Sequence, residues 1–214
     1  LYADRQLWDG FDKVQSIFLS EDWPAFARRR EHNREHIWFP EEQAIKAQPL
    51  ILDAMREKGP LSSIDLEQQS SVGGFWGFPI RAERAALENL YNMGVIGIHH
   101  RVGTRRYFEL TERLLPPEVH QAADPNETLE AYQQWHVLRR IAALGLAHAS
   151  GTEAWQGILG VKGPERRAML TQLVERGDLL AVQVEEVPRQ VFYIRAQDSS
   201  LLDSASGDLP ADPK

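Results

Sequence analysis

The chain contains no cysteine among its 214 residues, which excludes disulfide bonds and thiolate metal sites. No apolar run approaches the roughly 18 residues of a membrane-spanning helix, and no secretory leader is visible. These absences predict a cytoplasmic protein without a membrane partner. The chain begins with Leu1 rather than Met, and we expect it to be an internal piece of a longer protein.

Positive charge is in the minority, because 24 Lys and Arg face 31 Asp and Glu, giving a net charge of −7. Such a balance argues against a protein that coats nucleic acid through bulk charge. Residues 46–115 are the exception, with 9 basic and 8 acidic residues. At 43% hydrophobic residues, the chain has enough apolar side chains to build packed cores.

The most informative stretch runs over residues 81–110. Leu87 and Leu90 recur at helical spacing, and Gly94 follows where a helix end favours a residue that tolerates positive φ. After Gly94, apolar residues alternate on both sides of a turn at Gly103. A helix, a glycine and a two-stranded ribbon form the second half of a winged helix.

The same pattern recurs later in the chain. Aligning Gly94 on Gly177 also aligns Leu87 with Leu170, an offset of 83 residues, which indicates two copies of one unit. We therefore predict a mainly α (α+β) fold with tandem winged-helix (helix-turn-helix) domains. The predicted segments are an N-terminal helical arm at 1–41, winged helices at 42–116 and 117–197, and a disordered acidic tail at 198–214. Within them, apolar spacing predicts long helices at 42–58 and 127–149, a capping pattern predicts a short helix at 62–67, and apolar runs at 179–182 and 191–194 predict a second hairpin.

Basic residues gather on the first predicted ribbon and at the start of the helix before it. Cationic side chains there can contact phosphates, and the first turns of such a helix enter a DNA groove. The alternatives are a solvated surface or a surface that binds another protein. The predicted DNA-binding residues are Arg81, Arg84, His99, His100, Arg101, Arg105 and Arg106.

Other motifs are weaker. The string from His32 to His36 matches H-x-x-E-H, but a catalytic zinc needs a third protein ligand on a later helix, and no residue there has an obvious claim. We predict a solvated helix, no metal and no cofactor. Of the six tryptophans, only Trp76 is a candidate for base stacking, and the others suit packing.

Three strings resemble the YcaQ-like (AlkZ-type) winged-helix family. They are Lys58–Glu67 (KGPLSSIDLE), Ala86–Leu90 (ALENL) followed by Gly94, and Arg105–Pro116 (RRYFELTERLLP). The resemblance covers about residues 1–120 well and the second repeat loosely. It implies a bacterial protein of tandem winged helices. Characterised members of the family are DNA glycosylases that remove alkylated bases and unhook interstrand crosslinks.

The resemblance also implies where chemistry resides. The family signature, Gln-aliphatic-Gln or Gln-aliphatic-Asp, belongs to an N-terminal part that would precede Leu1, so this chain receives no catalytic residue. Phe11-Asp12-Lys13 replaces an aromatic-x-His stretch of several members, which indicates a divergent branch. The expected partners are double-stranded DNA and the missing N- and C-terminal domains of the parent chain. A winged-helix transcription regulator and a protein-interaction module without DNA binding are the alternatives.

Overall fold

The computed structural model describes residues 4–66, 70–74, 77–150, 153–200 and 202. It is a mixed structure of helices and short antiparallel sheets, in two compact units, Leu1–Pro125 and Asn126–Lys214. Trp76 lies outside the described residues, as does nearly all of the predicted tail. None of the described helices has the length and apolarity needed to cross a bilayer.

The first unit contains six strands, five α-helices and two short 3₁₀ helices (Ser20–Asp22 and Pro24–Phe26) among its described residues. Its strands are β1 (Leu7–Phe11), β2 (Gln15–Leu19), β3 (Ser71–Gly73), β4 (Pro79–Arg81), β5 (Ile96–Val102) and β6 (Arg105–Leu110). Its helices are α1 (Ala27–Glu35), α2 (Glu42–Lys58), α3 (Ala82–Asn92), α4 (Thr111–Leu114) and α5 (Pro117–His120). The strands pair as three hairpins, and an isolated bridge joins Leu61 to Phe108 of β6.

The second unit is smaller. It consists of α6 (Leu129–Leu144), β7 (Ala147–His148), a 3₁₀ turn, α7 (Gly163–Arg176), β8 (Leu179–Gln183) and β9 (Val191–Arg195). β9 lies between β7 and β8 in one antiparallel sheet. The predicted tail begins at Asp198, which lies in a 3₁₀ turn where Arg195 donates two hydrogen bonds to its carboxylate, at 2.6 and 3.0 Å.

The core of the first unit is built as the apolar spacing predicts. α2 matches the predicted helix, and its Ile51 and Met55 pack against Leu87 and Leu90 of α3. The β5–β6 hairpin closes this core with its apolar face. In the second unit, α6 and α7 surround a corresponding core that includes Leu170 and Leu173.

The prediction of an N-terminal helical arm is wrong for its first half. Residues 7–19 form the β1–β2 hairpin, and helix α1 begins only at Ala27. The reason is aromatic packing: the ring centroids of Trp8 and Phe18, on facing strands, lie 4.9 Å apart, and Trp8 also meets Trp23 edge-on at 5.0 Å. Opposed strands bring these rings together on one face, which a single helix would not do.

The long helix predicted at residues 127–149 is also shorter than expected. α6 ends at Leu144, because Gly145 adopts a φ of +74° and Ala147 pairs with β9. The short helix predicted from Ser62 is likewise a turn in its described part, residues 62–66. There the Asp65 carboxylate accepts a hydrogen bond from the Ser62 backbone N–H at 2.8 Å. Apolar spacing predicted helix in the first place and a capping pattern in the second, whereas Ala147 and His148 join the sheet and residues 63–66 form a turn.

Helix α3 is buried on two opposite sides. One side faces α2 and the β5–β6 hairpin, and the other faces the N-terminal segment that precedes α2, through Asn33 and Phe39. We call the contact between α3 and residues 33–39 the polar seam. Asn89 belongs to it, because its side chain accepts a hydrogen bond from the Phe39 N–H at 3.0 Å and donates one to the Phe39 carbonyl at 2.8 Å. One turn later, the Asn33 amide donates to the Asn92 carbonyl at 2.8 Å.

Gly94 shows how tightly α1 packs beside the polar seam. Its φ is +71°, and a Cβ placed there would lie 2.3 Å from Cδ of Arg30. Arg30 itself stacks over Trp23 at 3.7 Å, and burial lowers its pKa to about 10. Two constraints therefore require glycine at this position: the positive φ of the backbone and the close approach of the Arg30 side chain from α1.

We expect Asn89→Ala to lower the free energy of unfolding by at least about 2 kcal/mol, because two buried backbone groups of Phe39 lose their partners. Chemical denaturation measures this change. Lys46→Ala is the control: Lys46 is an exposed residue whose i,i+4 pair with Glu42 contributes little, about 0.3–0.5 kcal/mol. Equal stabilities of the two variants would contradict the claim that the Asn89 hydrogen bonds to Phe39 stabilise the fold.

Candidate functional site

Because both sides of α3 are covered, only a narrow strip of the helix reaches solvent. Arg84 is exposed and Glu88, one turn later, is half-buried, whereas Ala85, Ala86 and Leu87 between them are buried. The strip forms a ridge with a hollow on each side. Any ligand that reaches α3 must therefore use this ridge.

The first hollow has a volume of about 180 Å³ and lies between the ridge and the β5–β6 turn. Its walls carry Arg84 and Arg105, together with the polar side chains of Ser63 and Thr104. Arg84 and Arg105 are both exposed. We call this surface the Arg84–Arg105 hollow. Two guanidinium groups and small hydroxyl side chains suit an anionic ligand such as a phosphate.

The two other arginines of the hairpin form intramolecular ion pairs. Arg101 contacts the Asp9 carboxylate at 3.2 Å, and Asp9 is only 6% exposed. Arg106 pairs with Glu88 of α3, and its guanidinium also lies 5.1 Å from the ring centroid of Phe108. These two of the predicted DNA-binding residues therefore hold the hairpin against its neighbours.

The predicted contacts His99 and His100 lie at an irregularity of the hairpin. The register shifts between Ile98 and His100, so that His99 is an extra residue in β5. The Nδ1 atoms of the two histidines lie 2.8 Å apart, and one of them must accept a hydrogen bond from the other. The pair can therefore carry at most one positive charge while this contact exists.

Burial lowers the pKa of His99, and the positive charges of Arg5 and His100 lower it further. Arg5 also donates to the His99 carbonyl at 3.3 Å. With a pKa below its ordinary 6.5, His99 is neutral at pH 7. It can offer a hydrogen bond at neutral pH, but not a full positive charge.

Arg81 lies immediately before α3, where a groove-contacting residue was predicted. Its guanidinium donates to the Leu66 carbonyl at 2.7 Å and lies 3.9 Å from the Glu83 carboxylate. Because the side chain is 28% exposed, it keeps only a partial path to solvent. Among the predicted DNA-binding residues, Arg84 and Arg105 are therefore the two that are exposed and also line the Arg84–Arg105 hollow.

The second hollow, on the other side of the ridge, is larger, at about 410 Å³, and we call it the aromatic cleft. It is defined by the rings of Phe11, Trp38 and Tyr91 and by the polar side chains of Gln15, Arg84 and Glu88. The Phe11 and Trp38 rings meet at 87° with centroids 4.9 Å apart, forming a corner. Its volume and mixed lining fall in the range of small-ligand sites.

Tyr91 forms part of the floor of this cleft. It is only 7% exposed, and its hydroxyl lies 3.5 Å from the Gln15 amide nitrogen. Burial raises the pKa of Tyr91, and the nearby Asp9 carboxylate raises it further, so the phenol stays protonated. The cleft is not apparent in the sequence, because β2 and the loop before α2 bring Gln15 and Trp38 to α3 from distant positions.

Three of the four arginines of α1 have internal partners. Arg28 pairs with Asp124 at 3.1 Å, Arg29 donates to the Asp12 carbonyl at 2.9 Å, and Arg30 donates to the Trp23 carbonyl at 2.6 Å. In the second unit, Arg166 donates to the Ala149 carbonyl at 2.6 Å and lies over the Trp155 ring. These side chains support the fold.

The H-x-x-E-H motif does bring its three side chains together. Candidate ligand atoms of His32, Glu35 and His36 lie within 4.8 Å of one another at the end of α1. The two imidazole rings stack at 4.1 Å, and the His36 Nδ1 is 3.0 Å from the His32 carbonyl. Two of the side chains come from α1 and His36 immediately follows it, and the absence of a metal remains a prediction.

A family model described as DNA glycosylase AlkZ-like matches residues 1–213. The chain belongs to the AlkZ-like DNA glycosylase family. The resemblance found in the sequence is thereby confirmed. No curated protein matches the chain.

The fold is similar to that of a solved DNA glycosylase structure. The DNA glycosylase AlkZ of Streptomyces sahachiroi superimposes with a TM-score of 0.54 at 13% sequence identity. The match covers 94% of this chain and 56% of that protein. The chain thus spans little more than half the length of its structural relative, with which it shares the fold.

Arg101→Ala should lower the stability of the first unit by roughly 1–3 kcal/mol, because it leaves the buried Asp9 carboxylate without its ion-pair partner. Arg105→Ala removes an exposed side chain and should change stability by less than about 0.5 kcal/mol. Denaturant titrations of both variants measure the contrast. Adding Asp9→Asn to Arg101→Ala should recover part of the loss, and identical titrations for the single variants would refute the assignment.

The lowered pKa of His99 has a consequence for stability. The unfolded chain binds a proton at this residue at higher pH than the folded chain, so stability falls as the pH drops below 6.5. We expect His99→Asn to lose less stability than the wild type between about pH 7 and pH 5. Urea midpoints at both pH values test this, and an equal loss in the two proteins would count against it.

Proposed function

We propose that both units are winged helices and that the chain is the DNA-binding region of a DNA-repair glycosylase. The order of elements supports the first statement. In the first unit α2, the bridge at Leu61, α3 and the β5–β6 hairpin occur in this order, with the β3–β4 hairpin inserted before α3. α6, β7, α7 and β8–β9 repeat that order, and β7 pairs with the last strand as Leu61 does.

Membership of the AlkZ-like family supports a role in DNA repair, with DNA as the partner. In the parent protein the expected reaction is excision of alkylated bases or unhooking of interstrand crosslinks, and this chain contributes binding rather than catalysis. Domains before and after the chain complete the parent protein in this proposal.

The observation that carries DNA binding is the Arg84–Arg105 hollow. It pairs two exposed guanidinium groups from the helix and the hairpin that winged helices direct at DNA. Phosphates of a duplex backbone fit this pair, because guanidinium groups bind phosphate in a planar, two-pronged geometry. Arg81, His99 and His100 are proposed as secondary contacts, and Arg101 and Arg106 as residues that position the hairpin.

The two-sided burial of α3 also bears on the alternatives. A transcription regulator reads bases by laying the exposed face of its recognition helix in the major groove. The strip at Arg84 and Glu88 is too narrow for that, because Ala85, Ala86 and Leu87 between them are buried. Contact with the backbone, governed by DNA shape and damage rather than sequence, is therefore favoured over sequence reading.

The decisive experiment is a double substitution, Arg84→Ala with Arg105→Ala, assayed by fluorescence anisotropy on a short duplex. The loss of two phosphate contacts should weaken binding about tenfold or more and reduce the slope of log affinity against log salt by about 2 over roughly 50–200 mM salt.

The matched control is Arg167→Ala with Arg189→Ala, which removes two exposed arginines from the second unit. Arg189 is close in sequence to Glu185 and Glu186, so this pair should change the slope much less. If both double variants behave like the wild type, the Arg84–Arg105 hollow does not bind DNA. If no duplex binds even at low salt, the protein-interaction alternative stands.

A further inference from the structure

The aromatic cleft has no role in the contacts assigned so far, although it adjoins them. Arg84, Glu88 and Arg106 line both the cleft and the Arg84–Arg105 hollow, so the two lie on either side of one ridge of α3. A strand whose phosphates occupied the hollow would therefore pass the mouth of the cleft. The cleft volume of about 410 Å³ is enough for a small planar ligand.

The lining of the cleft indicates the chemistry of that ligand. Phe11 and Trp38 stand almost perpendicular, so a planar ring can stack on one while its edge meets the other. Both rings are half-buried, and each therefore keeps part of its surface open to a ligand. Stacking on such rings is sequence-tolerant, because every nucleobase has a π-face.

Polar groups at the cleft favour a nitrogen heterocycle over a plain hydrocarbon. Gln15, which is exposed, offers an amide donor and an acceptor, and the Tyr91 phenol adds a hydroxyl. Glu88 offers a carboxylate acceptor, although it is partly engaged by Arg106. Arg84 at the rim supplies a positive charge where an attached phosphate would lie.

We propose that the aromatic cleft binds one unstacked nucleobase, stacked on Trp38 with its edge against Phe11, while Arg84 contacts the adjoining phosphate. This inference rests on the proposed function and adds its substrate class: a nucleotide displaced from a duplex rather than a paired one. Unstacking a base costs least where it is unpaired or damaged, so such a cleft selects those positions. No covalent step is involved.

The test compares the affinity of the chain for a fully paired duplex with that for the same duplex carrying one bulged nucleotide. The wild type should prefer the bulged duplex. Trp38→Ala should abolish the preference, lowering the affinity ratio about fivefold or more, as expected for one lost base–aromatic stack. Trp38→Phe keeps an aromatic ring and should retain most of the preference.

Phe78→Ala is the matched control, because Phe78 is a 73% exposed aromatic residue outside the cleft lining, and the preference should survive its removal. Phe11→Ala provides a second variant in case Trp38→Ala unfolds, which a thermal melt reveals. Survival of the preference in folded Trp38→Ala or Phe11→Ala would overturn the proposal, as would a wild type without preference.

Competition identifies the source of the nucleotide. Displacement of the bulged duplex by deoxyadenosine monophosphate from the wild type, and equally from Phe78→Ala with its intact cleft, would extend the cleft to free nucleotides. A preference that is lost in Trp38→Ala without such displacement restricts the ligand to nucleotides within a strand. Paired-duplex affinity reports on the proposed function separately, so a failure of the cleft and a failure of DNA binding give different results.

Discussion

The two-sided burial of α3 is the constraint from which the rest of the first unit follows. A helix with apolar residues on one face needs one partner surface, and α2 with the β5–β6 hairpin supplies it. The N-terminal segment then adds a polar seam on the opposite face, where Asn89 satisfies both backbone groups of Phe39. A buried seam of this kind tolerates few changes, since any lost partner leaves a polar group unsatisfied.

That seam also decides which charges are available. Arginines are abundant in the first unit, but three of the four in α1 bind backbone carbonyls or a carboxylate, and Arg101 pairs with the buried Asp9. What remains at the Arg84–Arg105 hollow is a small and localised positive site on an acidic chain. A localised site favours a few specific phosphate contacts, whereas a broad basic face would bind any polyanion.

The ridge at Arg84 and Glu88 joins two chemically different hollows. One is cationic and suits a backbone, and the other is aromatic and suits a base, so together they match the two parts of a nucleotide. The pairing of Glu88 with Arg106 stiffens the boundary between them. The second unit repeats the order of elements, but its Arg166 is held internally against Trp155. The same architecture thus carries different surfaces.

Local sequence was sufficient for the elements whose apolar spacing is regular. It predicted α2 and the second hairpin at Leu179 and Val191, and its motifs identified the family, because periodicity and turn residues act over a few positions. It did not predict the N-terminal hairpin or the aromatic cleft. Those depend on contacts between residues far apart, such as Trp38 against Phe11 and Asp9 against Arg101, and only folding brings such side chains together.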